Sequence, residues 1–464
     1  MITTSAHLPR LTACLLLVAA TAAACAQNRS DAGLPQHYDA ALDASTALTP
    51  PSTAPTPNQA LTIDLQEALK RARANSAQFQ SAVTGALLAR EDRVQARAGL
   101  LPSVNYATSY IYTEGNGTPS GRFIANNGVH EYLAQGNAHE VVGLGMIADY
   151  RRTGAALALA KAKAEIAARG LVVTVVQSYY GVIVARRMSN NAQAAADEAR
   201  RFVQLSQQLE HGGEVAHSDV IKAQLQLNER EQALQNAQLA VEKAKLALGV
   251  LLFPNFTQDF TIVDDLRLAP PLPAFSEAEQ LAAHNNADIQ AAIAAMRVAN
   301  EEVTVARSGH LPTLTFDYWY GIDASRFAER TDGYQNLGYA AAATLNLPIF
   351  NWGAIQSKVK QAELQQKLAR VQLSEAQRTA LANLRAFWSE ANTARSQLDL
   401  LRNSADLAAE SLRLTNLRYE AGEAGALEVV DAQNSLIMAR NAYDDAQARY
   451  RIALANLQTL TGIF

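Results

Sequence analysis

Residues 96–112, ARAGLLPSVNYATSYIY, and residues 306–322, ARSGHLPTLTFDYWYGI, spell the same event twice, with Pro102 and Pro312 placed 210 residues apart. In each copy a helix-forming run meets a glycine and then Leu-Pro, and the proline bars the residue before it from the helical region, so the helix stops there. An alternating segment follows. Its even positions in the first copy are Val104, Tyr106, Thr108, Tyr110 and Tyr112, and in the second Leu314, Phe316, Tyr318 and Tyr320, while the odd positions are mostly small or polar. A period of two with unlike faces predicts a β-strand in each copy, and the shared phase predicts that both present the same face.

Each strand is followed by a stretch rich in Gly and Asn (113–136 and 323–336) and then by a short apolar segment around 141–148 and 337–347. Two hairpins, hence four strands, are expected. An apolar and aromatic outer face of about 10 residues suits a strand that crosses a bilayer. A soluble sheet covered by helices fits the same alternation.

Most of the remaining length is helical. The span from Thr62 to Gly99 is rich in Ala, Arg, Gln and Leu, and the run from Gly353 to Ala421 holds no proline and no interior glycine. At 1.5 Å per residue that run extends about 100 Å, more than a compact globule uses. Its apolar residues Phe387, Ala391, Ala394, Leu398, Leu401, Ala405, Ala408 and Leu412 step alternately by four and three, which is a heptad seam. The returning helix carries a second seam from Val429 to Leu460, and the first half of the chain a third from Val220 to Leu251. Alanine recurs in all of them, so the helices can approach closely. The breaks between outgoing and returning helices are duplicated as well: GEVAHSDVIKAQ (213–224) aligns with GEAGALEVVDAQ (422–433). The chain is therefore an internal duplication, with residues 61–275 as the first repeat and 276–464 as the second, each giving helix, hairpin, long helix, tip and shorter helix.

Composition excludes several classes of function. The net charge is −4 and no basic run exceeds an arginine pair, which leaves nucleic acid without an electrostatic footprint. Residues 1–24 read as a secretory signal, with a cationic start, an apolar stretch from Leu11 and small residues before Cys25. TAAAC resembles a lipoprotein cleavage box, with Ala22 where leucine is usual, so Cys25 is expected to be lipidated and residues 25–60 to form a polar linker between anchor and fold. With Cys14 inside the signal, the mature chain has no pair of cysteines to oxidise.

No G-x-G-x-x-G, P-loop, H-E-x-x-H, G-x-S-x-G or C-x-x-C motif occurs, so an enzyme is not expected and no cofactor is implied. His130 and His139 beside the first loop, and His211 and His217 near the first tip, raise metal handling. They lack acidic or cysteine partners at ligand spacing and read as solvated histidines.

The twin ARAGLLPS and ARSGHLPT segments, the run LNLPIFNWGAIQSKVKQAE (345–363) and the tip YEAGEAGALEVVDAQ (419–433) resemble the outer-membrane efflux protein family, the TolC-like outer-membrane channels. The resemblance runs through nearly the whole mature chain. It implies a fold that is mainly α with a small β part: a long antiparallel coiled-coil α-helical barrel plus a transmembrane β-barrel to which each protomer of a homotrimer gives four of twelve strands. It implies a passive exit duct of tripartite efflux or type I secretion, working with a periplasmic adaptor and an inner-membrane transporter and standing in outer-membrane lipid. A lipid-anchored periplasmic scaffold without a pore is the alternative that the helical seams allow. By residue-to-residue match, the resemblance makes Tyr419 with Ser218 and Asp219 the closure of the tip, and Glu428 and Asp431 the acids of the constriction. It places Gly213, Gly422 and Gly425 at tips that dock the adaptor. Ala424 departs from the family, which has an arginine or another polar residue there, and this touches the closing ion-pair network. Tyr106, Tyr110, Phe316, Tyr318 and Tyr320 are expected to face lipid or its interface.

A closed barrel buries far more surface in the bilayer than one lipid anchor does. Cys25→Ser is therefore expected to abolish acylation and leave oligomer assembly intact, as read by fatty-acid labelling and by gel mobility without heating. Loss of the oligomer would contradict this.

Overall fold

Two copies of one structural unit follow each other along the chain, and the computed structural model describes them over residues 61–112, 130–255, 258–267, 270–324, 328, 330–331 and 333–463. The signal segment, Cys25 and the linker to residue 60 lie outside the described residues. The first copy comprises β1 (Leu61–Ile63), α1 (Leu65–Asn75), α2 (Ala77–Ala98), β2 (Ser103–Tyr112), β3 (His130–Val142), α3 (Leu144–His211) and α4 (His217–Leu252). The second comprises β4 (Phe260–Ile262), α5 (Phe275–Asn285), α6 (Ala287–Ser308), β5 (Thr313–Ala324), the small hairpin β6 (Arg330–Thr331) and β7 (Tyr334–Gln335), β8 (Leu337–Asn346), α7 (Ala354–Glu420) and α8 (Ala426–Thr461).

The expected single helix from Thr62 to Gly99 is corrected to a strand and two helices. Asp64 leaves the strand and accepts the backbone N–H of Glu67 at 2.7 Å, which caps α1. Ser76 then interrupts, capping α2 through Phe79 N–H, and Asn286 does the same for α6 through Ile289 N–H. The repeat extends to tertiary bonds. Asn75 Nδ2 donates to Leu252 O at 2.6 Å, closing the end of α1 on the end of α4, and Asn285 Nδ2 donates to Thr461 O at 3.1 Å, closing α5 on α8.

The long helices α3 and α7 have 68 and 67 residues, so each runs about 100 Å. Short helices flank them in two levels. Near the sheet the neighbours run α2, α3, α6, α7, and at the far end α4, α3, α8, α7, so the wall is one helix thick throughout. The seams face inward as the heptads require: Ala391, Ala394 and Leu412 of α7 are buried, as are Val429, Ala432, Ala446, Tyr450, Ala453, Leu457 and Leu460 of α8 and Val220, Ala223, Leu234 and Leu248 of α4.

Where the short helices meet end to end, a collar wraps the wall. β1 and β4 pair in parallel, Leu61 opposite Phe260 and Ile63 opposite Ile262. Against them lies the apolar part of α3, with Leu171, Val172, Val175, Val176, Val182 and Ile183 buried. Tyr179 donates to Val263 O at 2.7 Å, and burial pushes its hydroxyl pKa up to about 12, so it stays a donor at any physiological pH. Arg187 reaches Asp264 at 2.7 Å and Asp444 at 3.0 Å, tying α3, the segment after β4 and α8 together. Burial raises the Asp264 carboxyl, but the Arg187 hydrogen bonds and charge outweigh it and hold the pKa below the usual range.

The four long strands form one antiparallel sheet in the order β2-β3-β5-β8. The second strand of the first hairpin is not at 141–148 as expected: β3 ends at Val142 and α3 has begun at Leu144. Its residues 134–138 are small or polar because β3 lies between two other strands, where large side chains from β2 and β5 already fill one face. The register places Tyr106 opposite Gly136, Tyr110 opposite Tyr132, Tyr318 opposite Ala138 and Tyr320 opposite Gly136 and Tyr339. One face thus carries Val104, Tyr106, Tyr110, Tyr132, Phe316, Tyr318, Tyr320, Tyr339 and Leu345, with Glu140 as its one described acid. The other carries Asn105, Gln135, Asn137, His139, Thr315, Asp317 and Asp323. Among the described residues the outer edges of β2 and β8 have no strand partner.

At Gly321 (φ +157°) the β5 backbone passes so close to β3 that a Cβ would stand 2.1 Å from Ala134 O, whereas a Cβ on Gly338 would meet nothing within 4 Å. Gly321→Ala is expected to cost roughly 1–3 kcal/mol or more by overpacking and to cut the yield of oligomer on unheated gels. Gly338→Ala is expected to assemble as wild type, and full assembly of Gly321→Ala would refute the β3–β5 register.

Candidate functional site

The end of the wall away from the sheet is built from the two turns that link α3 to α4 and α7 to α8. Both turns close in the same way. Gly213 (φ +78°) follows α3, with its own N–H on Glu210 O at 2.9 Å and Glu214 N–H on Leu209 O at 2.9 Å. Gly422 (φ +72°) follows α7, with its N–H on Tyr419 O at 3.1 Å and Glu423 N–H on Arg418 O at 2.8 Å. This is the Schellman arrangement, and the left-handed residue it needs is best supplied by glycine. Gly425 has an ordinary extended backbone and caps α8, its N–H directed to Glu428 Oε1 at 3.4 Å.

Under the turns lies a small core of Phe202, Val203, Ala223, Tyr419, Ala426 and Val429. Tyr419 is 1% exposed, and its ring centroid lies 5.0 Å from that of Phe202. Its hydroxyl pairs with Ser206 Oγ at 2.9 Å, a bond from α7 to α3 buried on both sides. The family resemblance pairs Tyr419 instead with Ser218 and Asp219 of the neighbouring turn. Ser218 is exposed, and Asp219 takes a hydrogen bond from Lys222 at 3.1 Å. Burial raises the Tyr419 pKa, and the nearby Asp219 charge adds to this against the Ser206 bond.

Glu428 and Asp431, three residues apart on α8, are both exposed on one face. They are not equivalent. Glu428 Oε2 accepts from Arg418 Nη1 at 3.1 Å, and the other nitrogen of that guanidinium donates to Glu423 O at 3.1 Å, so Arg418 ties the end of α7, the turn and the start of α8. Asp431 has no ion pair among the described residues. The sequence hid the pairing of Arg418 with Glu428 because a partner ten residues away across a turn follows no helical spacing. Ser206, 213 residues from Tyr419, left no signal at all.

Two of the histidines acquire single acidic partners, His217 Nδ1 at 2.7 Å from Glu210 and His139 Nδ1 at 2.7 Å from Asp317, while His211 Nδ1 lies 2.7 Å from Gln207 O. Among the described residues no group of three potential metal ligands exists. The His130 side chain lies outside the described residues. In the sheet, Tyr106, Tyr110, Phe316, Tyr318 and Tyr320 share one face and are all exposed in the protomer.

The family model described as outer membrane efflux protein matches residues 68–252 and again 279–463, one match per repeat. Outer membrane protein TolC of Vibrio cholerae serotype O1 is 24% identical over 405 residues, covering 86% of this chain and 90% of that one. The pyoverdine export outer membrane protein OpmQ of Pseudomonas putida is 33% identical over 287 residues, 61% of this chain and 56% of its own. The solved outer membrane channel CmeC of Campylobacter jejuni superposes with a TM-score of 0.75 at 19% identity, covering 89% of this chain and 90% of that one.

Tyr419→Phe keeps the ring and removes the bond to Ser206, at a cost of about 1 kcal/mol. The expected result is faster amide hydrogen exchange in both turns, with Ser206→Ala adding little on top of it. Strictly additive effects of the two substitutions would show that the bond contributes nothing.

Proposed function

The chain belongs to the outer membrane efflux protein family, and we propose that it is the passive exit duct of a tripartite efflux or type I secretion system, closed by three copies of itself. Members of this family are outer-membrane channels rather than enzymes, and the fold is theirs: a helical barrel joined to a transmembrane β-barrel. The observation that carries the reading is the sheet, with one aromatic face, one polar face and two edges without a strand partner among the described residues, set on helices about 100 Å long. Three copies close twelve strands into a barrel whose polar face lines a lumen and whose Tyr106, Tyr110, Phe316, Tyr318 and Tyr320 meet lipid. A periplasmic scaffold without a pore has no use for that aromatic face. Acylated Cys25 is a second, weaker hold on the membrane.

The turns at Gly213, Gly422 and Gly425 face the periplasm and receive the adaptor, behind which an inner-membrane transporter selects the cargo. There α8 sets Asp431 and Glu428 of each copy around one opening, with Arg418 offsetting the charge of Glu428. The result is a ring of carboxylates of which Asp431 carries the unneutralised part, and such rings favour cations. Tyr419, through Ser206, holds α7 to α3 in the closed form.

Recordings in planar bilayers test this. Glu428→Gln with Asp431→Asn is expected to lower cation selectivity and to abolish block by a trivalent cation added from the periplasmic side, whereas Arg418→Gln should raise selectivity. Unchanged selectivity in both variants would mean that the constriction lies elsewhere. A heat-sensitive oligomer without conductance would support the scaffold.

A further inference from the structure

Seven residues, Leu347–Gly353, separate β8 from α7, and nothing matches them in the first repeat, where only Gly143 separates β3 from α3. Both strands nevertheless leave the sheet at one level, since Val142 lies opposite Leu314 and Asn346 opposite Thr313. The excursion is therefore not required to connect a strand to a helix in this fold.

It also holds the most exposed large apolar side chains among the described residues. Ile349 is 94% exposed, Trp352 90% and Phe350 72%, and the rings of Phe350 and Trp352 pack on each other, 4.9 Å apart and edge to face. The backbone works to hold them there. Asn351 O accepts Ala354 N–H at 3.0 Å, and the two residues between have φ +54° (Trp352) and φ +82° (Gly353). A tight turn with positive φ at both central positions suits Asn-Gly, and a bulky residue in the first of them is strained. Strain of this kind marks a residue held for a contact it has yet to make.

Two observations name the contact. Leu347 and Ile349 continue the odd-numbered phase of β8, in which Tyr339, Ala341, Ala343 and Leu345 lie on the aromatic face of the sheet. No charge interrupts residues 347–357, and then Lys358 and Lys360 follow on the first turns of α7, both exposed and without an ion pair among the described residues. Tryptophan at the rim of an apolar face, backed by lysines, is the chemistry of a bilayer interface, with rings at the acyl-headgroup boundary and ammonium groups at the phosphates.

We propose that Ile349, Phe350 and Trp352 form an interfacial anchor in the periplasm-facing leaflet, and that Lys358 and Lys360 below it bind anionic phospholipid headgroups. The proposal rests on the reading that the aromatic sheet face meets lipid. The anchor fixes the height of the barrel in the bilayer at the one junction where the wall departs from its internal repeat.

The test is quenching of Trp352 fluorescence in full-length protein carrying Trp319→Phe and Trp388→Phe, reconstituted into phosphatidylethanolamine and phosphatidylglycerol vesicles brominated at shallow or deep acyl positions. Loss of most Trp352 emission to the shallow label, with little loss to the deep label or to aqueous acrylamide, is expected. A protein whose sole tryptophan is Phe316→Trp is the control and should respond to the deep label. Emission from Trp352 that only acrylamide quenches, beside a quenched control, overturns the anchor alone. Silence of both to bromolipid overturns the lipid-facing sheet and the anchor with it. Cross-linking of Ile349→Cys between copies, without lipid quenching, would assign the excursion to a second copy and overturn the proposal. The difference in emission between wild type and Trp352→Phe gives the same readout without the other substitutions. Omitting phosphatidylglycerol should weaken shallow quenching in wild type and not in Lys358→Gln/Lys360→Gln; equal weakening in both overturns the role of the lysines.

Discussion

An antiparallel sheet of four strands ends in two rows of N–H and C=O groups, and in hydrocarbon each unpaired group costs several kcal/mol. The outer edges of β2 and β8 are such rows, and they are of similar length, with 10 residues in each strand. Among the described residues no strand pairs with them. The rest of the architecture follows from that deficit: the sheet must meet copies of itself edge to edge, so the helices below it must form a wall that closes as well. A globular domain packed under the sheet would block the lumen, and a one-helix wall leaves it clear.

The duplication makes that closure possible with few parts. Most junctions occur twice, from the caps at Ser76 and Asn286 to the amides of Asn75 and Asn285 and the left-handed glycines at Gly213 and Gly422. Within one copy the first repeat meets the second along α3, α6 and α8, and the sheet continues from β3 to β5. The collar holds these two halves in register with its partly buried polar bonds from Arg187 of α3 to Asp264 and Asp444 of the second copy, and Arg451 to Asp265 at 2.6 Å braces the second copy itself. Ionised carboxylates and guanidinium groups are costly to bury singly, so each is met by a partner from another element.

Much of this was legible because it is periodic. Seams stepping by four and three, the alternation after Pro102 and Pro312, and the fixed offset between repeats survive in the bare sequence since they arise from 3.6 and 2.0 residue repeats. What was not legible lacks a period. β3 is an inner strand whose aromatic face is occupied by the large side chains of its neighbours, so its own residues Ala134, Gly136 and Ala138 show no alternation of apolar and polar. β1 and β4 have three residues each and are strands only because they pair. At the tips, Tyr419 could be singled out from its motif, but its bond to Ser206 and the bond of Arg418 to Glu428 join residues whose proximity only the folded turns create.

The alanines of the seams also set a calibre. Helices that meet through residues such as Ala391, Ala394, Ala432, Ala446 and Ala453 pack near the lower end of the usual 8–10 Å between axes. A ring of four helices from each of three copies then has a circumference of about 100 Å and measures about 30 Å across between axes, which leaves a bore of roughly 20 Å inside the helix bodies. Larger side chains at those positions would widen the pipe. Passage at this gauge suits small molecules and threaded chains, so a folded domain meets a size limit written in methyl groups.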